Sequence, residues 1–82
     1  MNLIQSLQYI NDNAWCHRTF WKAEKTFKEI KEQLTQEESE ELYRTLLECD
    51  PDYPDYSGSM RDKAFLSSYI KQLQLKYQKE DN

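Results

Sequence analysis

Glycine and proline are almost missing from this chain. Gly58 is the only glycine in 82 residues, and the only two prolines, Pro51 and Pro54, fall in the same short stretch. An all-β fold needs many more turn residues than that, so sheet architectures are set aside and one real loop is expected. A glycine-rich phosphate cradle is excluded for the same reason, because a lone glycine cannot supply its backbone turns. Long apolar runs are also missing: nothing approaches the roughly 20 residues of a membrane span. Met1 to Asn13 lacks a basic start, and its apolar residues are interrupted by Gln5, Ser6 and Gln8, unlike an export signal. A cytoplasmic location is therefore expected, with Cys16 and Cys49 reduced rather than bridged.

What is present is aromatic and charged. Six Tyr, three Phe and two Trp are too many for a disordered tail, and 32% of residues are charged. A chain of this length forms one domain with one small core.

The pattern is organised around Cys16, Phe20, Ala23, Phe27, Ile30 and Leu34, whose spacings alternate between four and three and draw one apolar seam along a helix. Such a helix needs partners to cover it. The pattern allows two arrangements, a single chain that covers the seam with its own helices and a homodimer that shares it. Four helices are expected, over about 2–11, 14–34, 36–49 and 59–78, in an all-α up-and-down bundle with a loop at 50–58.

Leu3, Ile4, Leu7 and Ile10 give the first helix its face, with Asn2 as cap and a break or sharp kink at Asn11-Asp12-Asn13. Thr35 and Glu38 form a capping box at the start of the third helix, with Glu37, Glu40 and Glu41 in its first turns, where the helix dipole favours negative charge. Leu42, Tyr43, Leu46 and Leu47 supply that helix's apolar face, and Cys49 stands at its end. Ser57 or Ser59 caps the fourth helix, with Asp62 near its start; Phe65, Leu66, Tyr69, Ile70, Leu73 and Tyr77 repeat along it at helical spacing. Trp15 and Trp21 lie six positions apart, rotated by about 240°, so no single neighbour covers both. Either two flanking helices bury them, or one belongs to an interface, where Trp is a preferred anchor.

Charge is strongly segregated. Residues 35–56 carry eight acidic groups and one basic, whereas 14–34 and 57–82 each carry five basic and three acidic. Within the molecule, rim carboxylates of the third helix can meet lysines of the second and fourth, each pair contributing about 0–1 kcal/mol. Facing outward, the same block complements a basic partner and steers its association. Asp50, Asp52 and Asp55 alternate with Tyr53 and Tyr56 on a segment stiffened by two prolines, which suits a protein-binding hot spot; alternatively those tyrosines fold over the end of the bundle.

Catalytic and metal chemistry finds little support. Cys16 and His17 are adjacent, about 100° apart on a helix, and Cys16 on the seam is read as a core residue. Cys16, His17 and Cys49 lack a fourth zinc ligand, and the three aspartates of the loop lack the glycine and glutamate of a calcium loop. No cofactor, no metal and no enzymatic activity are expected. Arg18, Lys22 and Lys25 form a basic stripe beside Trp21 that could hold a phosphate backbone. Interleaved Glu24, Glu29 and Glu32 and a net charge of −4 count against nucleic acid as the partner.

The expected function is therefore a non-enzymatic interaction module that binds a basic protein surface through Glu48, Asp50, Asp52, Tyr53, Asp55, Tyr56 and Trp21. In that logic it is similar to bacterial immunity proteins and phage-encoded inhibitors, with which it shares no motif. The alternatives are a regulator that contacts nucleic acid through Arg18, Lys22 and Lys25, and a structural protein that assembles only with itself.

Overall fold

The computed structural model describes residues 1–50 and 60–80, which form four α-helices: α1 (Leu3–Asn13), α2 (Phe20–Ile30), α3 (Gln36–Leu47) and α4 (Met60–Glu80). A short 3₁₀ turn, Lys31–Gln33, follows α2. Asp52, Tyr53, Asp55 and Tyr56, and the capping serines Ser57 and Ser59, lie outside the described residues. Among those described, no helix is long and apolar enough to cross a membrane, and no group of three or more His, Cys, Asp or Glu side chains could hold a metal.

The first helix starts where Asn2 caps it: its side chain accepts from the Gln5 backbone N–H at 2.8 Å, and Gln5 reciprocates at 3.0 Å. It does not break at Asn11-Asp12-Asn13 as expected. Gln8 donates to Asp12 one turn on, at 2.8 Å, and the Asn13 amide donates to the Tyr9 carbonyl at 2.8 Å, so these turn-favouring side chains bond within the helix and carry it to Asn13.

The break comes instead at residues 14–19, and α2 is much shorter than the expected 14–34. The Thr19 hydroxyl donates to the Asn13 carbonyl six residues back, at 2.7 Å, and the Cys16 carbonyl receives both the Thr19 and Phe20 N–H groups. This hydrogen-bonded turn closes off α1 and launches α2. Cys16 therefore falls on an exposed turn and not in the core, contrary to the sequence reading. The seam itself survives from Phe20 onward. Phe20, Ala23, Phe27, Ile30 and Leu34 are all buried, the last because the 3₁₀ turn tightens the chain and keeps Leu34 facing inward before its extended backbone leads to Thr35.

One chain covers that seam from within. Leu7 and Ile10 of α1, Leu42 and Leu46 of α3, and Leu66, Ile70 and Leu73 of α4 join it in a single buried cluster, closed by Cys49. A homodimer sharing this seam, as the pattern allowed, would find its apolar residues already enclosed. The helix α1 packs against both α2 and α4, and α3 packs against α4. Gln74 bridges two of these layers, donating to the Ile4 carbonyl at 3.3 Å and to Gln8 at 3.1 Å. Phe27 stacks on Tyr43 with ring centroids 5.3 Å apart, which joins α2 to α3. The radius of gyration, 12.1 Å, is close to the roughly 12 Å expected of a compact chain of this length.

Candidate functional site

The start of α3 sets the site. Thr35 and Glu38 form the expected capping box, with the Thr35 hydroxyl accepting from the Glu38 N–H at 3.1 Å and the Glu38 carboxylate accepting from the Thr35 N–H at 3.0 Å. The same carboxylate reaches α4, where it accepts from the Lys76 ammonium at 2.6 Å and from the Tyr77 hydroxyl. Glu38 keeps 13% of its side-chain surface exposed. Its partial burial pushes the carboxyl pKa up, but the donors from Lys76, Tyr77 and Thr35 outweigh that and hold it at about 2. This carboxylate fastens α3 to α4.

Between the two helices lies an open groove of about 480 Å³, lined by Glu41, Arg44 and Thr45 of α3, Glu48 at its C-cap, and Phe65, Ser68, Tyr69 and Gln72 of α4. Glu41, Thr45 and Glu48 fall on one side of α3 because they are spaced by four and three. Arg44 lies between the two carboxylates, paired with Glu41 and with Glu48 at 3.1 Å. Thr45 closes its own hydroxyl onto the Glu41 and Leu42 carbonyls and stays buried. On the opposite wall Phe65 is 51% exposed. Tyr69 is half-buried, and its phenol pKa is raised first by burial and then by the negative charges of Glu38, Glu41 and Glu37. The groove combines an exposed aromatic ring with a surplus of negative charge.

The expected residues divide between places. Glu48 lines this groove, and Asp50 follows as the tight turn Asp50 N–H to Leu47 carbonyl, 3.0 Å, ends the helical region. Trp21 does not join them. It is 59% exposed, so flanking helices do not bury both tryptophans, although Trp15 is half-buried. Its cleft, about 250 Å³ between α1 and α2, is lined by Met1, Tyr9, Lys22, Lys25, Thr26 and Glu29. The Lys22 ammonium stands 5.8 Å from the indole centroid, within cation–π range. The structure thus groups Trp21 with Lys22 and Lys25, two of the three basic-stripe residues. Arg18 is exposed on the preceding turn, where its backbone N–H is the largest influence lowering the Cys16 thiol pKa.

Phe65, Tyr69 and Arg44 were not among the expected site residues. The apolar repeat expected along the fourth helix included Phe65, which the structure instead leaves exposed at the groove. Leu66, Ile70, Leu73 and Tyr77 follow the spacing of one helix face, so Phe65, one position earlier, has to point about 100° away from it.

No family model, no curated protein and no solved structure matches this chain.

Proposed function

We propose that the protein is a non-enzymatic interaction module that holds a basic segment of a partner protein in the α3/α4 groove, in the manner of an inhibitor, an immunity-like protein or an adaptor. The observation that carries this reading is the exposed Phe65 ring beside Tyr69 in a groove edged by Glu41 and Glu48. Aromatic side chains anchor interfaces because they desolvate a large area at low entropic cost, and carboxylates around them select a basic partner and speed its arrival. Acid–base catalysis would want a carboxyl held high by its surroundings, whereas the strongly shifted carboxyl of α3, Glu38, is held low and spent on joining two helices.

The test is capture from nuclease-treated lysate by the wild-type chain and, in parallel, by a chain carrying Phe65→Ala and Glu48→Lys. The expected result is one stoichiometric protein with a basic surface, retained by the wild type and lost by the variant at unchanged melting temperature. Equal retention by both chains would remove the groove from the interaction.

A further inference from the structure

Two clefts among the described residues, the α1/α2 cleft and the α3/α4 groove, share no residue and are opposite in character. The α1/α2 cleft presents Trp21, Tyr9 and Met1 with Lys22 and Lys25, against one carboxylate, Glu29. The α3/α4 groove presents Phe65 and Tyr69 with Glu41 and Glu48, against one cation among the described residues, Arg44. Among the side chains of the described residues, each therefore carries one surplus charge of opposite sign. The edges extend the contrast: Arg18 stands three residues before Trp21, and Glu37 acts on Tyr69 from the start of α3. We infer that the Trp21 cleft is a second docking surface whose occupant is the α3/α4 groove of another copy of the chain, so that copies associate head to tail.

Three observations support a second copy as the occupant. Trp21, at 59% exposure, leaves most of a large apolar ring in water, and the groove offers an aromatic wall of the kind that covers such a ring. The groove volume, about 480 Å³, leaves room for an indole to enter beside Phe65. Across such a contact the Glu41 and Glu48 carboxylates of the groove meet the Lys22 and Lys25 ammonium groups of the cleft, a local complementarity of charge. The contact is heterologous, since each copy offers a different face, and unless it closes into a ring it leaves a free cleft at one end and a free groove at the other. Two such small clefts make a weak interface, below the standard size.

This inference rests on reading the groove as a docking surface, and the experiment separates the two. Weight-average mass is measured by sedimentation over about 10 to 500 µM protein at low and high salt, the range in which a contact of this size is populated. The wild type is expected to rise above the 10.0 kDa of one chain as concentration increases and to fall back with added salt. Trp21→Ala and Phe65→Ala should each remain monomeric. Their equimolar mixture should form a species of two chains and nothing larger, because only one cleft and one groove remain intact. Lys25→Glu, at an exposed position, is the second variant on the cleft side and should also remain monomeric. A wild type that is monomeric throughout, or a mixture that stays monomeric, overturns the inference. So does quenching of Trp21 fluorescence by an oligothymidylate at low salt while the mass stays that of one chain, since the cleft would then take an anionic polymer. The Trp21→Ala chain should still capture a basic partner. If it does so while the wild type never self-associates, self-association fails and the groove reading stands. If the mixture forms a dimer and no chain captures a basic partner, the reverse holds.

Discussion

Two groups of carboxylates on α3 differ in where their partners come from. Glu38, in the first turn, is satisfied from another helix, by Lys76 and Tyr77 of α4, and from its own cap at Thr35. Glu41 and Glu48, further along, are satisfied by Arg44 of the same helix, in a pairing that solvent reaches. A contact that crosses between helices reports on the packing of the fold, because it exists only when α3 and α4 are docked. A pairing at spacing three or four survives in the isolated helix and constrains the fold very little. The difference teaches which charges hold this molecule together and which remain available to a partner.

The largest expected effect comes from cutting the first group. Glu38→Ala removes the acceptor of Lys76 and Tyr77 and half of the capping box, and should destabilise the chain by about 3 kcal/mol, since hydrogen bonds to a charged group contribute about 1.5–3 kcal/mol each and are not additive. In a domain of this size that lowers Tm by roughly 12 °C or more, read by thermal denaturation. A loss no larger than that of Arg44→Ala would erase the distinction between the two groups.

Acid titration breaks the same contact without mutation. Glu38 has a folded pKa of about 2 against an ordinary value of 4.5. A carboxyl held low when folded contributes its full stability above the unfolded value and loses it as the pH falls from 4.5 toward 2. The amount is on the order of 2 kcal/mol, discounted because Lys76 is 46% exposed. Urea unfolding at a series of pH values should show this decline in the wild type and a flatter curve in Glu38→Gln. Thr35→Ala, which removes the hydroxyl of the box but leaves Lys76 and Tyr77 their acceptor, should cost about 1 kcal/mol, an intermediate value that assigns the remainder of the Glu38 effect to the interhelical bonds.

The local features were the ones legible in the sequence. A capping box needs only four consecutive residues, so Thr35 and Glu38 could be placed without knowing the fold, as could Asn2 at the start of α1. The apolar seam from Phe20 to Leu34 was legible because its period is long and regular. The turn at residues 14–19 was not, because it depends on a hydroxyl of Thr19 reaching a carbonyl at Asn13, a contact to which no spacing rule points. Cys16 happened to sit one turn ahead of the seam in the right phase, and phase alone cannot say that the helix has not yet begun. The same limit applied to the site. Glu48 could be chosen from charge, but its companions Phe65 and Tyr69 come from a helix some 20 residues on, and only packing brings that wall across from α3.

The smallest effect on stability is expected at Arg44, and it is the one that sharpens the comparison most. Arg44→Ala removes two pairings that are exposed and within one helix, so urea unfolding should change by about 0.5 kcal/mol or less. Its effect on the groove runs the other way. Arg44 is the cation between Glu41 and Glu48, and its loss leaves both carboxylates uncompensated beside Phe65. A basic partner should then be captured faster and held more strongly at low salt, with the gain disappearing as ionic strength rises, because added negative charge acts through long-range attraction. Glu38→Ala offers the converse, a large loss of stability with little change in groove charge at temperatures where the chain is still folded. Association rates measured for both variants across a salt series would place the two groups on separate axes. If Arg44→Ala instead weakens capture, Arg44 itself touches the partner, and the groove recognises a segment with its own carboxylate among the basic residues.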